Sequence, residues 1–288
     1  MANNVQTTLN FIPADLPVQT MNGTSDFYTY ANDKRPVTIY DVRGQENEFT
    51  LPENGFQYTT HRSACIPISD STIIKSDLYA ETDEFLKNTL FPQPTYIKIA
   101  SHTIRSSPTD LNSEYTGTPG PARAAHLDHT PTGAKNYLYE KLPHEEASQL
   151  IRTRWAIVNV WRPLKPIKRD PLAVCDGSTL QEGDLMPIQM DYSASARAKE
   201  EGQNLRTTVG WEIAMARYSE GQRWYYLSDM GVDEVLLMKI FDSISMDKIR
   251  GAVHSSFEDP DQKDVKEVRE SIELRCLVFW EDEPSSNL

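Results

Sequence analysis

Apolar and β-branched runs fill the second half of the chain at short intervals. Turn-forming sequences such as DGS, SEGQ and SDMG separate most of them. Strands at this spacing predict a sandwich or barrel rather than alternating β-α units. The runs are WAIVNVW (155–161), LAVC (172–175), DLMPIQM (184–190), TTVGWEIAMARY (207–218), RWYYLS (223–228), DEVLLMKIFD (233–242) and SIELRCLVFW (271–280).

Helical patterns occur before and between these runs. ETDEFLKNTLF (81–91) has acids in its first turn, and PHEEASQLIRTR (143–154) opens with proline and acids and closes with arginines. Both charge distributions suit a helix dipole. The first helix is predicted to carry one apolar stripe, formed by Phe85, Leu86, Leu90 and Phe91.

The domain organisation follows from composition. The first 80 residues are rich in Pro, Asn, Thr and Asp, with strand-like pieces such as PVTIYDV (36–42), and no linker-like shift separates them from the rest. We therefore predict one domain over residues 1–288. An N-terminal buttress of strands and helices (1–95) supports a β core (96–280) that carries the functional site.

Charge and cysteine usage limit the partners and the location. The 288 residues carry a net charge of −13, which disfavours nucleic acid or an anionic membrane as a partner. The three cysteines are widely spaced, and Cys175 and Cys276 lie in apolar runs, as buried free thiols do. No signal-peptide pattern or membrane-length apolar run is evident. These features predict a cytoplasmic protein, and they leave the oligomeric state open.

The stretch RAAHLDHTPTG (123–133) carries the first candidate chemistry. On an extended segment, His126 and Asp128 project to the same side and can reach one metal ion, whereas His129 points away. A histidine and a carboxylate at this spacing form two-thirds of a 2-His-1-carboxylate triad for Fe(II). The third ligand should come from far along the chain, and His144 and His254 are the later candidates.

After His254, polar and apolar residues alternate along a second candidate part of the site. In VRESIELRCLVF, one face holds Arg269, Ser271, Glu273 and Arg275, and the other is apolar. If the polar face lines a barrel mouth, Arg269 can grip a carboxylate through two hydrogen bonds and Ser271 can add a hydroxyl. A dicarboxylate that chelates iron at one end needs such a clamp at the other, which predicts 2-oxoglutarate as cosubstrate.

The order His-x-Asp, distant His, then Arg-x-Ser resembles that of Fe(II)/2-oxoglutarate-dependent oxygenases of the double-stranded β-helix (jelly-roll) fold. The blocks NVWRP, PLAVCD, WYY and DEVLL.K.FDS are similar in combination to the gibberellin-desaturase-like hydroxylase/desaturase group of fungal secondary metabolism. That group is also similar to cephalosporin methoxylase accessory proteins. The resemblance covers roughly residues 95–280.

The resemblance implies a mainly β jelly roll with flanking helices. It implies that His126, Asp128 and His254 bind the metal and that Arg269 anchors 2-oxoglutarate. The 15 positions from His254 to Arg269 exceed the usual spacing in other oxygenase families, so SSFEDPDQKDVKE should form an extra loop. If the loop does not return the strand to the site, Arg275 is the rival anchor.

Further polar residues in the matching blocks are candidate ligand contacts. A buried amide needs hydrogen-bond partners, so Asn159 is a candidate for the cosubstrate carboxylate. Arg154 and Arg217 are candidate clamps for a substrate carboxylate, and Tyr225 is a candidate for lining the substrate pocket.

The expected reaction uses Fe(II), 2-oxoglutarate and O2, with ascorbate as reductant in vitro, and hydroxylates, desaturates or oxidatively cyclises a small natural product or amino acid. Two alternatives remain open at this point. One is a non-haem iron oxidase that needs no 2-oxoglutarate, in which Arg269 binds substrate. The other is a catalytically silent jelly-roll partner protein.

Overall fold

Two β-sheets dominate the computed structural model, which describes residues 3–16, 20–22, 31–68, 70–107, 120–181, 183–191, 211–244 and 251–285. Its strands are β1 (Val5–Phe11), β2 (Thr20–Asn22), β3 (Asp33–Asp41), β4 (Phe56–Thr60), β5 (Tyr96–Ser106), β6 (His126–Leu127), β7 (Thr153–Pro163), β8 (Leu172–Cys175), β9 (Leu185–Asp191), β10 (Trp211–Ala216), β11 (Trp224–Tyr226), β12 (Glu234–Asp242), β13 (His254–Ser256) and β14 (Glu270–Pro284).

The strand order crosses between distant parts of the chain. The large sheet runs β1-β3-β11-β8-β13-β6-β10-β9-β2 and the small sheet β4-β12-β7-β14-β5. All pairs are antiparallel except β3 with β11 and β2 with β9. This arrangement of two sheets, with few helices, confirms the predicted mainly β jelly roll.

Alternation along β14 separates the interior from the outer face of the small sheet. Ile272, Leu274 and Cys276 are fully buried and belong to an apolar cluster that includes Leu78 and Leu86. Phe279 turns the other way, into the main core between the sheets. One strand therefore supports both layers, as its period of two predicts.

Four α-helices flank the sheets among the described residues: α1 (Leu51–Asn54), α2 (Tyr79–Thr89), α3 (Pro131–Lys141) and α4 (His144–Leu150). None of the described helices is long and apolar enough to cross a bilayer. In α2, Phe85 and Leu86 are buried as predicted, but the stripe prediction is wrong for Phe91, which is 94% exposed. The chain leaves helical conformation at Leu90 (ψ 138°), so Phe91 is not on the helix.

The N-terminal strands take part in both sheets. β1 and β3 extend one edge of the large sheet, β2 forms its other edge, and β4 forms an edge of the small sheet. These pairings place the N-terminal strands at the edges of both sheets, where the predicted buttress over residues 1–95 would lie. The boundary between that buttress and the core at 96–280 stays a prediction.

Helix α3 was not predicted, because Pro131 and Gly133 read as turn residues. Thr130 caps the helix by accepting a 3.0 Å hydrogen bond from Gly133 N, and proline suits the first helical position. The helix packs on β10 so closely that a Cβ at Gly133 would lie 1.9 Å from the carbonyl oxygen of Glu212. Glycine is therefore needed for this approach.

We predict that Gly133→Ala lowers the free energy of unfolding by about 1–3 kcal/mol, because the added methyl overpacks against backbone. The measurement is urea denaturation of the metal-free protein. Gly221→Ala is the matched control, since its Cβ would meet neighbours no closer than 3.5 Å, and it should change stability by less than about 0.5 kcal/mol. Equal stability of the two variants would show that α3 does not need this close contact.

Candidate metal centre

Two histidines stand opposite each other on neighbouring strands of the large sheet. His126 begins β6, His254 begins β13, and the antiparallel register pairs them directly. Directly paired residues share a face of the sheet, and the two imidazole centroids are 4.5 Å apart. Asp128 Oδ1 lies 3.5 Å from His126 Nε2. The three residues each offer a ligand atom, and these atoms all lie within 4.8 Å of one another.

Backbone carbonyls fix the orientation of both imidazoles. His126 Nδ1 lies 2.7 Å from Ala124 O, and His254 Nδ1 lies 2.9 Å from Ala252 O. A carbonyl oxygen can only accept, so each Nδ1 carries the proton and donates it. Each Nε2 is then left with a free lone pair, which is the form of histidine that binds a metal.

Burial and charge set the protonation of the acid and of the second histidine. Burial opposes ionisation of Asp128, but the positive charge of Arg275 outweighs it and holds the pKa of Asp128 well below its usual range. Burial, with the nearby His126, lowers the pKa of His254 to about 4. At neutral pH the site therefore offers a carboxylate and a neutral His254 imidazole.

The second oxygen of Asp128 is held from the small sheet. Asn159 Nδ2 on β7 donates to Asp128 Oδ2 at 2.6 Å, and Arg275 Nη2 on β14 donates to the same oxygen at 2.8 Å. Arg275 Nη2 also lies 3.3 Å from Glu273 Oε1. Asn159 Nδ2 and Arg275 Nη2 are thus engaged within the protein. The contact of either residue with a cosubstrate carboxylate stays a prediction.

Arg269, just before β14, is 1% exposed. Its Nη1 donates to Asp170 O at 2.7 Å and to Ser256 Oγ at 3.1 Å. Ser256 is two residues beyond His254 on β13, so the loop between β13 and β14 does return the chain to the site. Burial and the nearby Arg105 lower the pKa of Arg269 to about 9, which leaves it charged at neutral pH.

One nitrogen of this guanidinium and one hydroxyl nearby in the sequence are buried and have no hydrogen-bond partner among the described residues. They are Arg269 Nε and Ser271 Oγ. Both residues are 1% exposed and stand two positions apart, on the face predicted to be polar. Buried donors without a partner are costly, and these two can both be satisfied by one carboxylate.

Neither Arg154 nor Arg217 forms a hydrogen bond with the triad in the described structure. Arg154 lies on the outer face of the small sheet, 4.2 Å from the centroid of the Trp280 ring, and pairs with acids there. Arg217 follows β10 and donates to Gly183 O. The outward direction of Arg154 gives no support to a substrate clamp there. Arg217 Nη2 lies 3.4 Å from Met186 Sδ, and Met186 pairs with Met215, which pairs with His126, so the contact of Arg217 with substrate stays a prediction.

Tyr225 shares a sheet face with His254, two strands away. It pairs in register with Val174, which pairs with His254. Its ring contacts the rings of Phe49 and Phe56, at centroid distances of 4.7 and 6.1 Å. Tyr225 thus contributes to the aromatic interior on the face that carries the triad, and its contact with substrate stays a prediction.

His129 is not among the residues whose ligand atoms converge. It is 1% exposed, and its ring packs against Tyr137 and Trp211 at centroid distances of 4.8 and 5.5 Å. Burial, together with the charge of Arg275, lowers its pKa to about 3. His129 is therefore a neutral packing residue next to the site.

Two charged residues of the site had no predicted role, although Glu273 was placed on the polar face. Glu273 is largely buried, and burial together with Asp128 raises its pKa. Arg105 on β5 stands in register with Ser271, so it shares the face of Arg269 and Glu273. The alternation of YIKIASHTIRS is the signal that could have identified β5 and its inward arginine.

Comparison with known proteins agrees with this geometry. A family model described as "Oxidoreductase/YMDC permease-like domain" matches residues 9–279. Hydroxylase/desaturase asaB of Aspergillus flavus is 35% identical over 97% of this chain and 96% of its own. The Fe(II)/2-oxoglutarate-dependent dioxygenase nvfI of Aspergillus novofumigatus is 33% identical over 84% of this chain and 82% of its own.

A solved structure extends the similarity to three dimensions. A structure of the iron and alpha-ketoglutarate-dependent endoperoxidase NvfI superposes with a TM-score of 0.78 at 27% identity, covering 96% of this chain and 98% of that chain. Similarity of sequence and of fold over nearly the whole length thus accompanies a cluster of two histidines and one aspartate. The chain belongs to the family of Fe(II)/2-oxoglutarate-dependent oxygenases that includes the fungal hydroxylase/desaturases.

Proposed function

We propose that His126, Asp128 and His254 hold the Fe(II) on which this family depends. The observation that carries the proposal is the convergence of their ligand atoms within 4.8 Å, with both Nε2 lone pairs kept free by backbone carbonyls. Two imidazoles and one carboxylate are a donor set suited to ferrous iron, and they leave coordination positions open for other ligands. The residues therefore fit the metal.

We propose that Arg269 and Ser271 bind the far carboxylate of 2-oxoglutarate. Arg269 Nε and Ser271 Oγ lack partners in the described structure, and a carboxylate accepts from both. Ser256, whose hydroxyl holds the guanidinium, is two residues from His254, a distance of about 7 Å along a strand. That separation matches a short dicarboxylate lying between the metal and the arginine.

The chain's own residues supply positioning and charge for the reaction. When bound, Fe(II) supplies activation of O2 coupled to decarboxylation of 2-oxoglutarate to succinate and CO2. Arg269 orients and neutralises the cosubstrate, and the carbonyls of Ala124 and Ala252 keep the imidazoles directed inward. Placement of the substrate C–H bond then decides between hydroxylation, desaturation and ring closure.

The substrate is a small molecule, in keeping with the family. We propose a natural product or amino acid, because the relatives carry hydroxylase/desaturase, dioxygenase and endoperoxidase names. Incubation of the iron-loaded protein with such compounds, followed by mass spectrometry for loss of two hydrogens or gain of one oxygen, would identify it. The cytoplasmic location and the absence of nucleic-acid and membrane partners stay predictions from the sequence.

Neither alternative function gains support from the site. A silent partner protein has no need for three converging ligands with their tautomers set. An oxidase without 2-oxoglutarate would use Arg269 for substrate, but relatives named for their dependence on 2-oxoglutarate or alpha-ketoglutarate favour the cosubstrate. Succinate formation that requires both Fe(II) and 2-oxoglutarate, with ascorbate present, would support the oxygenase, and substrate turnover without the keto acid would contradict it.

We predict that His126→Ala and His254→Ala each weaken Fe(II) binding by more than about 100-fold. Changes in residues that merely support ligands cost roughly 10–100-fold, and these variants remove a ligand itself. Anaerobic titration with Fe(II) measures the effect. His144→Ala is the control, since His144 begins α4 and stacks on Tyr139. Wild-type affinity in either ligand variant would contradict the assignment.

We predict that Ser271→Ala and Arg269→Ala weaken 2-oxoglutarate binding by about 10–100-fold while Fe(II) affinity is retained. A hydrogen bond to a charged group is worth about 1.5–3 kcal/mol, and about 1.4 kcal/mol corresponds to tenfold. Anaerobic titration of the iron-loaded protein with 2-oxoglutarate provides the measurement.

Ser271→Ala is the cleaner of the two variants because it removes no hydrogen bond within the described protein. Ser255→Ala is the matched control, since Ser255 is equally buried, lies on the opposite side of β13 and donates to Ser256 O. An unchanged 2-oxoglutarate affinity in both Ser271→Ala and Arg269→Ala would place the anchor elsewhere.

A further inference from the structure

The two oxygens of Asp128 have different surroundings. Oδ2 accepts hydrogen bonds from Asn159 Nδ2 at 2.6 Å and from Arg275 Nη2 at 2.8 Å. Oδ1 instead faces His126 Nε2 at 3.5 Å. The carboxylate therefore presents one oxygen to the other two ligands, while the small sheet holds the second oxygen.

Asn159 and Arg275 also hold each other. They pair directly across β7 and β14, and Arg275 Nε donates to Asn159 Oδ1 at 3.3 Å. This bond orients the amide so that its NH2 group points to Asp128. The network is closed, because each of the three side chains contacts both of the others.

The guanidinium of Arg275 is fixed from further sides. Nη2 reaches Glu273 Oε1 at 3.3 Å, and the rings of Tyr137 and Trp211 lie 5.6 and 6.0 Å from its central carbon. Burial lowers the pKa of Arg275, but the negative charge of Asp128 outweighs this effect and raises the pKa of Arg275 above the usual value. A rigid, permanently charged donor therefore faces Asp128 Oδ2.

We propose that Asn159 and Arg275 are positioning residues that reserve Asp128 Oδ2 and leave only Oδ1 for the metal. The inference rests on the proposed function, in which Asp128 is an iron ligand. An aspartate that used both oxygens would take a coordination position that the cosubstrate or O2 requires. Two donors on Oδ2 exclude that mode, and they orient the carboxylate before the metal binds.

Two variants that conserve charge test the proposal. Asn159→Leu removes one donor from Oδ2, and Arg275→Lys keeps the positive charge but loses the planar fork that serves Asp128 and Asn159 together. Each is expected to bind Fe(II) about 10–100-fold more weakly. In Co(II)-substituted protein, each should also show weaker visible absorption, since Co(II) absorbs less as its coordination number rises and the released Oδ2 can join the metal.

Arg154→Lys is the matched control. The Arg154 side chain is 14% exposed and that of Arg275 is 13% exposed, and both are ion-paired on the small sheet, but Arg154 faces outward. It should keep wild-type Fe(II) affinity and the wild-type Co(II) spectrum. Thermal unfolding of the metal-free proteins shows whether Arg275→Lys folds, and Asn159→Leu provides the test if it does not.

The outcomes separate this inference from the proposed function. Wild-type affinity and an unchanged Co(II) spectrum in Asn159→Leu and Arg275→Lys would overturn the positioning role while leaving iron binding intact. Equal losses in Arg154→Lys would also overturn it, because the effect would then be general. Failure of the wild-type protein to bind Fe(II) would overturn the proposed function and this inference together.

Discussion

The in-register pairing of β6 with β13 is the constraint on which the site depends. It sets His126 opposite His254, and a slip of one residue would turn one imidazole to the other face of the sheet. Both strands are short, so the register is held by their neighbours: β13 also pairs with β8, and β6 with β10. Asp128 lies just beyond β6 and can therefore turn toward the small sheet.

The two sheets contribute different parts of the site. The large sheet carries the imidazoles. The strand β14 of the small sheet and the residue just before it carry two positive charges, Arg275 and Arg269. The positive charge of Arg275 compensates the negative charge of Asp128. Arg269 instead donates to two uncharged oxygens, the backbone carbonyl of Asp170 and the hydroxyl of Ser256. A buried arginine that is held by neutral partners and keeps one unsatisfied donor of its own, with a second on Ser271, is arranged for an anion that arrives with the reaction. The jelly roll thus separates metal binding from cosubstrate binding while keeping both within one interior.

Much of this arrangement could be predicted from the sequence because strand alternation is a local signal. The polar face of residues 269–275 and its apolar reverse face were predicted, and the structure buries both. The contact of Arg275 with Asp128 could not be predicted, because the two residues are 147 positions apart and on different sheets. The outward direction of Arg154 could not be predicted either, because it depends on the register of β7 against β14.

The central claim is that three side chains, remote in sequence, converge on one ferrous ion. A crystal structure of the anaerobic Fe(II) protein, with the iron located by anomalous scattering, tests it most directly. We expect His126 Nε2, His254 Nε2 and Asp128 Oδ1 at roughly 2.0–2.2 Å from a single ion, with Asp128 Oδ2 still hydrogen-bonded to Asn159 and Arg275. An ion bound elsewhere, or one that lacks any of these three atoms as a ligand, would contradict it.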